Sequence, residues 1–573
     1  MANIWIRLCG FCLLLALSPS WAAAPAALAA RTHFVSVAFH DVVDSLDGAD
    51  VDAVSTDRLV AFFDHLRSDG WTPLRLEDLA QIRRGQRPMP PKAILITFDD
   101  GYRSLYTKVF PLLMAYRIPV VASVVGSWLE PAPGAQIRYG ERLVSREHFI
   151  DWAQARRMQA SGWVEFASHT YDQHQQRQSN PQGNRTPALS SALYEPAAER
   201  YEDLAAYSER VRQDLQRNAQ LMHKELGRLP RAITWPYGHY NRPALDVALE
   251  QGYEFALTLN NEPGDLRMPM EIGRYWPRSN QQLAELINEL RFISAPPASR
   301  RLRRIDPAQL WSPDPAVFDQ RLGSLIEQLR AARTTDVVLE ALHMDTATGR
   351  WSSWFPNRVL PVQGDALHRI AWQLQIRAEV RVLADLRLDR LVSGMPEADI
   401  LTLHTDLGWQ VPVQGLFLAG RQAAAHAGPP ADGPSQEAPF TSAGLAQQRR
   451  HLDLQTLPQP DRLALQAFRA VEAFRPQLSL VTLTLAGQVH GLAPWADLSL
   501  RGLPASVPQL QALVRDLHAK SASANRWQQR RTGVWLMGSE LGDAALRQRL
   551  QRALHVEGVG AIGWSASDFE EAK

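Results

Sequence analysis

In the first half of the chain, short apolar runs each end in polar or aromatic residues. Phe34–Phe39 delivers His40 and Asp41, and Ala93-Ile94-Leu95-Ile96 runs into Thr97-Phe98-Asp99-Asp100-Gly101-Tyr102. Val164–Ser168 leads to His169, and Ala232-Ile233-Thr234 leads to Trp235-Pro236-Tyr237-Gly238. Runs of this length bounded by turn residues read as buried strands. Helical spacing appears in Thr56–Leu66, with Thr56 as a capping residue, and in Glu199–Leu226, with Gly227 as the stop. A similar alternation returns in the second half. Asp336–Ala341 and Gly415–Leu418 look like strands, Phe318–Ala332 and Ala366–Ala378 like helices. Residues 505–520 look helical, and Gly560–Trp564 resembles a last strand. Alternating β and α units predict an α/β fold, here as two β/α barrels in tandem. Polar groups at the C-terminal ends of such strands are where a barrel gathers its chemistry.

Asp99 and Asp100 are adjacent carboxylates at the end of a buried strand, where they repel each other. Two readings are open. One is a turn in which Asp accepts backbone hydrogen bonds. In the other, one Asp ligates a cation and its neighbour stays free as a base, with Gly101 allowing the tight turn. His169-Thr170-Tyr171-Asp172-Gln173-His174 places two imidazoles after another strand. Two neutral imidazoles and one carboxylate make a three-ligand set for a divalent metal, with positions left for water and substrate. Zinc, nickel, cobalt and iron all accept such ligands, so the metal's identity stays open.

These residues resemble the polysaccharide deacetylase family (carbohydrate esterase family 4), whose motifs are Thr-Phe-Asp-Asp-Gly, a histidine pair and a segment ending in Pro-Tyr. The sequence departs from that pattern in three ways. Its histidine pair has four intervening residues, Trp235-Pro236-Tyr237 lacks an arginine two places before the proline, and no Leu-x-His motif follows. A histidine instead lies upstream, at His40. That permuted order is similar to the branch of the family that deacetylates poly-β-1,6-N-acetyl-D-glucosamine during biofilm export. Val125-Gly126-Ser127-Trp128 and Trp354-Phe355-Pro356-Asn357-Arg358 extend the likeness through most of the chain.

The resemblance implies a distorted deacetylase barrel followed by a TIM-like, glycosidase-type barrel. It implies one divalent metal on Asp100, His169 and His174, Asp99 as base and His40 as acid. Tyr102 (through its backbone N–H), Trp235, Pro236, Tyr237 and Asp41 would contact or support the substrate. The implied partners are the polymer and an outer-membrane export porin. Two alternatives remain: a deacetylase of peptidoglycan, chitin or xylan, and a non-catalytic polysaccharide-binding protein.

Composition narrows the setting. Arg7, the apolar run Leu8–Leu17 and small residues up to Ala30 read as a secretory signal over 1–30, which predicts a periplasmic protein. Cys9 and Cys12, the only cysteines, fall within it, so disulfides and cysteine metal sites are excluded from the mature chain. The 573 residues carry a net charge of +1, which argues against a nucleic-acid or anionic-membrane surface. The domains read as 31–293 for the deacetylase, 294–304 as a basic linker and 305–573 as the glycosidase-like unit, with a loop rich in Pro, Gly and Ser at 428–443. The polar segment between His174 and Tyr194 reads as the border of a substrate groove.

The resemblance also turns negative. Ala419-Gly420-Arg421-Gln422 stands where the glycosidase has its acids. Glycoside cleavage requires a carboxyl to protonate the leaving oxygen. With Asp345, Asp385 and Asp389 as the remaining substitutes, the second unit is expected to be a polymer-binding platform, with Trp351, Trp354 and Trp564 as stacking residues.

Overall fold

The computed structural model describes residues 32–278, 280–290, 300–420, 449, 452–484, 492, 496–504, 532–537 and 561–564. The proposed signal, Arg421, Gln422, the 428–443 loop, the 505–520 helix and the Trp564 side chain lie outside the described parts. The first unit is built on parallel strands β1 (His33–Phe39), β2 (Ala93–Phe98), β3 (Val120–Val124), β4 (Val164–Ser168), β5 (Ala232–Thr234) and β6 (Phe255–Leu257), ordered β6-β5-β4-β3-β2-β1. Every residue of β2 and β3 is buried, as expected where helices cover both faces of a parallel sheet. Pairing of Phe39 with Phe98 brings His40 and Asp99 side by side at one end of the sheet. Ser168 pairs with Val124 and Ile233, which carries His169 to the same end.

The regular strands leave this sheet open. A short antiparallel strand, Gly264–Asp265, flanks the start of β1, and the irregular segment Met268–Tyr275 bridges β6 to β1. Ile272 bridges to Leu257 on β6 and Tyr275 bridges to Val37 on β1. Thr258 N donates to Ile272 O at 2.8 Å, and Tyr275 N to Ser36 O at 2.8 Å. Helix α1 (Thr56–Ser68) buries Leu59, Phe62, Phe63 and Leu66; its cap is Ser55, one residue before the predicted Thr56. Helix α2 (Leu204–Leu226) ends at Gly227, whose φ of 79° suits glycine. It starts five residues later than the apolar spacing suggests, because Arg200–Tyr201 pairs with Tyr194–Glu195 in a hairpin.

In the second unit eight parallel strands close into a barrel: β7 (Arg300–Ile305), β8 (Asp336–Glu340), β9 (Arg381–Asp385), β10 (Gly415–Gly420), β11 (Ser479–Thr484), β12 (Leu498–Pro504), β13 (Thr532–Met537) and β14 (Ala561–Trp564). This corrects the linker: Arg300–Arg304 belongs to the first barrel strand. The basic run survives inside the barrel because its inward arginines are neutralised in layers. Arg300 meets Asp336 at 2.5 Å below an apolar layer that includes Leu302, Val338 and Leu383. Above it Arg304 meets Glu340 at 2.9 Å and Asp385 at 2.6 Å.

The polar segment after His174 is ordered. Gln176–Gln178 pairs with Arg185–Pro187, the tip of this hairpin docks on the barrel helix α3 (Leu367–Arg377), and Ser190 farther along lines a cavity. Arg369 donates to Gln182 O and Asn184 Oδ1, and Gln182 Nε2 donates to Asp365 O at 2.7 Å. The buried amides satisfy one another and the neighbouring helix, as burial requires. Arg475 donates to Ser190 O across the same junction.

Asp365 sits in this junction and accepts from Tyr201 OH at 2.5 Å. Burial raises its carboxyl to about 6, opposed only partly by that hydrogen bond. A raised folded-state pKa means the associated stability is present below the ordinary carboxylate range and is lost as pH rises through about 6. Asp365→Asn should therefore stabilise the protein at pH 7.5, by at most about 3 kcal/mol, with the gain vanishing near pH 4. Thermal melts at the two pH values check this; an equal gain at both would show that ionisation is not the cause.

Candidate metal and catalytic site

Asp100, His169 and His174 meet at the C-terminal end of the first sheet, with one potential ligand atom from each lying within 4.8 Å of the others. Asp100 Oδ1 is 3.3 Å from Nε2 of both imidazoles and is buried without a hydrogen-bond donor. Its other oxygen accepts from Tyr139 OH at 3.0 Å, and Tyr102 OH donates to Tyr139 at 2.6 Å, so Oδ1 is left directed at the histidines. His169 Nδ1 faces Thr234 O at 2.8 Å, which fixes the tautomer with Nε2 free to ligate. Burial opposes ionisation of Asp100, yet His174 and His169 outweigh it and hold the carboxyl well below its usual range. Burial likewise opposes a charge on His169, but Asp100 and Asp99 raise its pKa. An unpartnered buried oxygen between two imidazoles is a donor set that fits a divalent cation.

The local fold explains how these residues converge. Asp100 and Gly101 have φ of 70° and 71°, a sharp turn off β2, and a Cβ on Gly101 would stand 3.1 Å from Val124 Cγ1. The longer histidine loop is pinned from behind by α2. Asp214 accepts from Tyr171 N and Asp172 N, both at 2.8 Å, and from Gln173 Nε2 at 3.1 Å. Asn218 Nδ2 donates to Ser168 Oγ at 2.7 Å. Asn218 approaches the chain so closely that a Cβ on Gly126 would lie 2.3 Å from its Oδ1.

Asp99, next to the cluster, is held in a fork. Arg274 Nη1 and Nη2 donate to its two oxygens, each at 2.8 Å. Nη1 also reaches Thr97 Oγ1 at 2.7 Å, and Nε donates to Thr258 O at 2.9 Å. Arg274 is fully buried. Burial pushes the Asp99 carboxyl up, but the guanidinium outweighs it and lowers the pKa. Arg274 supplies from the sheet-closing segment the cation missing before Pro236. Sequence reasoning did not identify it. The available signal was an arginine inside an otherwise apolar and aromatic run, Ile272-Gly273-Arg274-Tyr275-Trp276.

The remaining predicted residues divide. His40 is buried beside the cluster, with Nδ1 unpartnered and its ring 5.7 Å from Trp276, another residue that sequence reading missed. Tyr237 has a φ of 57°, which brings its ring 4.5 Å from that of His174. Trp128 stands edge-on to His174, ring centroids 4.8 Å apart. Tyr102 is buried and acts on the cluster through Tyr139. Trp235 is fully buried and stacks on Tyr240 at 5.5 Å, so it belongs to the core; Pro236 is buried as well. Asp41 accepts from Ser104 Oγ at 2.6 Å, and that hydroxyl accepts from Val42 N, so this carboxylate shapes the loop after β1.

In the barrel mouth, Ala419 and Gly420 end β10. Asp385 and Glu340 close neighbouring strands, both bound by Arg304. Asp345 accepts from Ala347 N and Thr348 Oγ1 in an exposed turn. Asp389 approaches Arg387 at 3.9 Å. Trp354 is buried in the core, which removes it as a stacking platform, whereas Trp351 is only half-buried.

Residues 86–256 match the family model for polysaccharide deacetylase, and residues 304–388 match one described as hypothetical glycosyl hydrolase family 13. The chain is similar to a poly-β-1,6-N-acetyl-D-glucosamine N-deacetylase of Escherichia coli (strain K12), with 32% identity over 352 residues, covering 61% of this chain and 52% of that protein. The match thus spans about half the length of the curated relatives. Among solved structures, the BpsB deacetylase domain of Bordetella bronchiseptica is 39% identical, covering 42% of this chain and 95% of that one, with a TM-score of 0.39. A de-N-acetylase from Aggregatibacter actinomycetemcomitans is 30% identical, covering 45% and 99%, with a TM-score of 0.42.

The geometry predicts one tight site for zinc, nickel or cobalt, with protons released on binding because the imidazoles must be neutral to ligate. Calorimetry in two buffers should show that release. Asp100→Ala and His174→Ala should abolish tight binding, and Asp214→Ala should weaken it roughly tenfold, as loss of an outer support does. Unchanged affinity in Asp100→Ala would remove this carboxylate from the ligand set.

Proposed function

We propose that this chain, whose N-terminal unit belongs to the polysaccharide deacetylase family, removes N-acetyl groups from poly-β-1,6-N-acetyl-D-glucosamine by metal-assisted amide hydrolysis. The observation that carries this reading is the Asp100–His169–His174 cluster standing beside an arginine-held Asp99 and the buried His40. A divalent cation held by those three ligands would polarise the acetyl carbonyl and acidify water. Asp99, kept ionised by Arg274, takes a proton from the attacking water. His40 gives a proton to the nitrogen as the C–N bond breaks. Acetate and a glucosamine unit leave. Tyr139 keeps Asp100 turned toward the histidines, while Tyr237 and Trp276 wall the space in front of them.

The likeness to poly-β-1,6-N-acetyl-D-glucosamine deacetylases supports this polymer over peptidoglycan, chitin or xylan. We further propose a periplasmic setting, on the signal-like character of residues 1–30, and an outer-membrane export porin as partner, on the resemblance. Among the described residues no helix is long and apolar enough to cross a membrane. We propose that the second barrel binds polymer without cleaving it. Glu340 and Asp385 are both engaged by Arg304, and β10 offers no acid at its end. Shortened chains produced from partially deacetylated polymer by Asp100→Ala protein would overturn that part.

Acetate release from β-1,6-linked N-acetylglucosamine oligomers should require metal and stop with chelator. Asp99→Asn should keep its metal and lose about 10²–10⁴ in turnover; a metal-bound, fully active Asp99→Asn protein refutes the assignment. Arg274→Met should free Asp99 to protonate more easily. The acid limb of the kcat/KM profile should then move to higher pH. A profile that falls in height without moving would limit Arg274 to folding.

A further inference from the structure

Behind Tyr237, on the side away from His174, lies a cavity of about 480 Å³ between the two units. That size falls in the range of small-ligand sites, about 300–1,000 Å³. Its first wall is the loop after β5 and the turn after β6. Its second wall is the N-terminal rim of the barrel, formed by α3 and the segments leading into β9, β10 and β11. It is therefore far from the barrel mouth where glycosidase chemistry would sit. Tyr237 lines this cavity and also stands against His174, so the cavity and the metal site share one wall residue.

The wall chemistry selects the occupant. Arg381, Arg449 and Arg475 are balanced by Glu262, Glu271 and Asp497. Arg381 is paired with Asp336 and Arg449 with Asp497, both at 3.1 Å. Glu271 accepts from Tyr240 OH at 2.9 Å. His239 lies exposed at the edge of the cavity. Arg475 differs from the other arginines. It spends Nε on Val411 O and Nη1 on Ser190 O, its Nη2 has no partner, and it makes no ion pair among the described residues. Trp372 adds an aromatic face from α3. Balanced charge, a guanidinium supplied only with carbonyl oxygens and an aromatic surface fit a neutral ligand rich in hydroxyl and amide oxygens.

We infer that this cavity is a subsite for sugar units adjoining the one being deacetylated, and that it takes them as neutral N-acetylhexosamine rings. The inference rests on the polymer reading above. It makes the barrel part of the deacetylase's own substrate site, through Trp372 and the Arg475 edge.

The test uses the full-length, metal-loaded protein and Trp372→Ala. Acetate release from a β-1,6-linked N-acetylglucosamine pentamer should show KM raised about tenfold at unchanged kcat, the pattern of lost uniform binding. Hydrolysis of a small acetyl ester, too short to leave the metal site, should be unaffected. Trp372→Tyr should restore the pentamer KM. Equilibrium binding of the pentamer to Asp99→Asn protein, with and without Trp372→Ala, reads the subsite independently of turnover. If the pentamer is bound through Trp372 but no acetate appears, the function fails and the subsite stands. If acetate is released with equal KM and equal binding in Trp372→Ala, the subsite is refuted and the function stands. Tighter Trp372-dependent binding of a fully deacetylated pentamer would overturn the assignment of neutral rings.

Discussion

The ion pair between Arg274 and Asp99 is the constraint on which the first unit turns. A carboxylate buried beside a second carboxylate cannot stay ionised without compensation. The guanidinium provides it with two parallel hydrogen bonds, a geometry lysine cannot reproduce. Removing one partner of such a pair leaves an uncompensated buried charge, a loss on the order of 3–5 kcal/mol. The arginine is carried by the segment that bridges β6 to β1. Closure of the fold and compensation of the buried Asp99 charge are thus one event: the segment that joins the sheet also brings the guanidinium that lets this carboxylate stay ionised when buried.

The apolar runs and the residues ending them made the first unit legible in the sequence. Each predicted strand of that unit forms, and the three expected ligands meet, because buried parallel strands carry a continuous apolar signal and deliver their next residues to one end. Arg274 and Trp276 were hidden because they come from an irregular segment that has no period, and Tyr139 because it ends a four-residue strand of a short hairpin, too brief to show one. Trp235 shows the converse. Its motif context suggests a pocket wall, but the alternation after β5 turns it inward onto Tyr240, and only Tyr237, with its unusual backbone angle, faces the cluster.

The second unit was legible in outline and misread in detail. A basic run next to Pro and Ser looks like a solvated linker, since four arginines within five residues rarely form a buried strand. It becomes one here because Asp336, Glu340 and Asp385 wait on neighbouring strands at matching heights. Register between strands, which fixes those heights, is a property of the closed barrel and leaves no local trace. The same clamp holds Glu340 and Asp385 together on one arginine.

The docked hairpin has a wider consequence. Residue 174 carries an imidazole of the cluster, and two residues later the chain enters the ribbon whose tip is fastened to the barrel's helix. Any rocking of one half against the other would be levered straight into the position of that imidazole. The barrel thus braces the Asp100–His169–His174 cluster from outside, a structural task that is independent of any chemistry in the barrel itself.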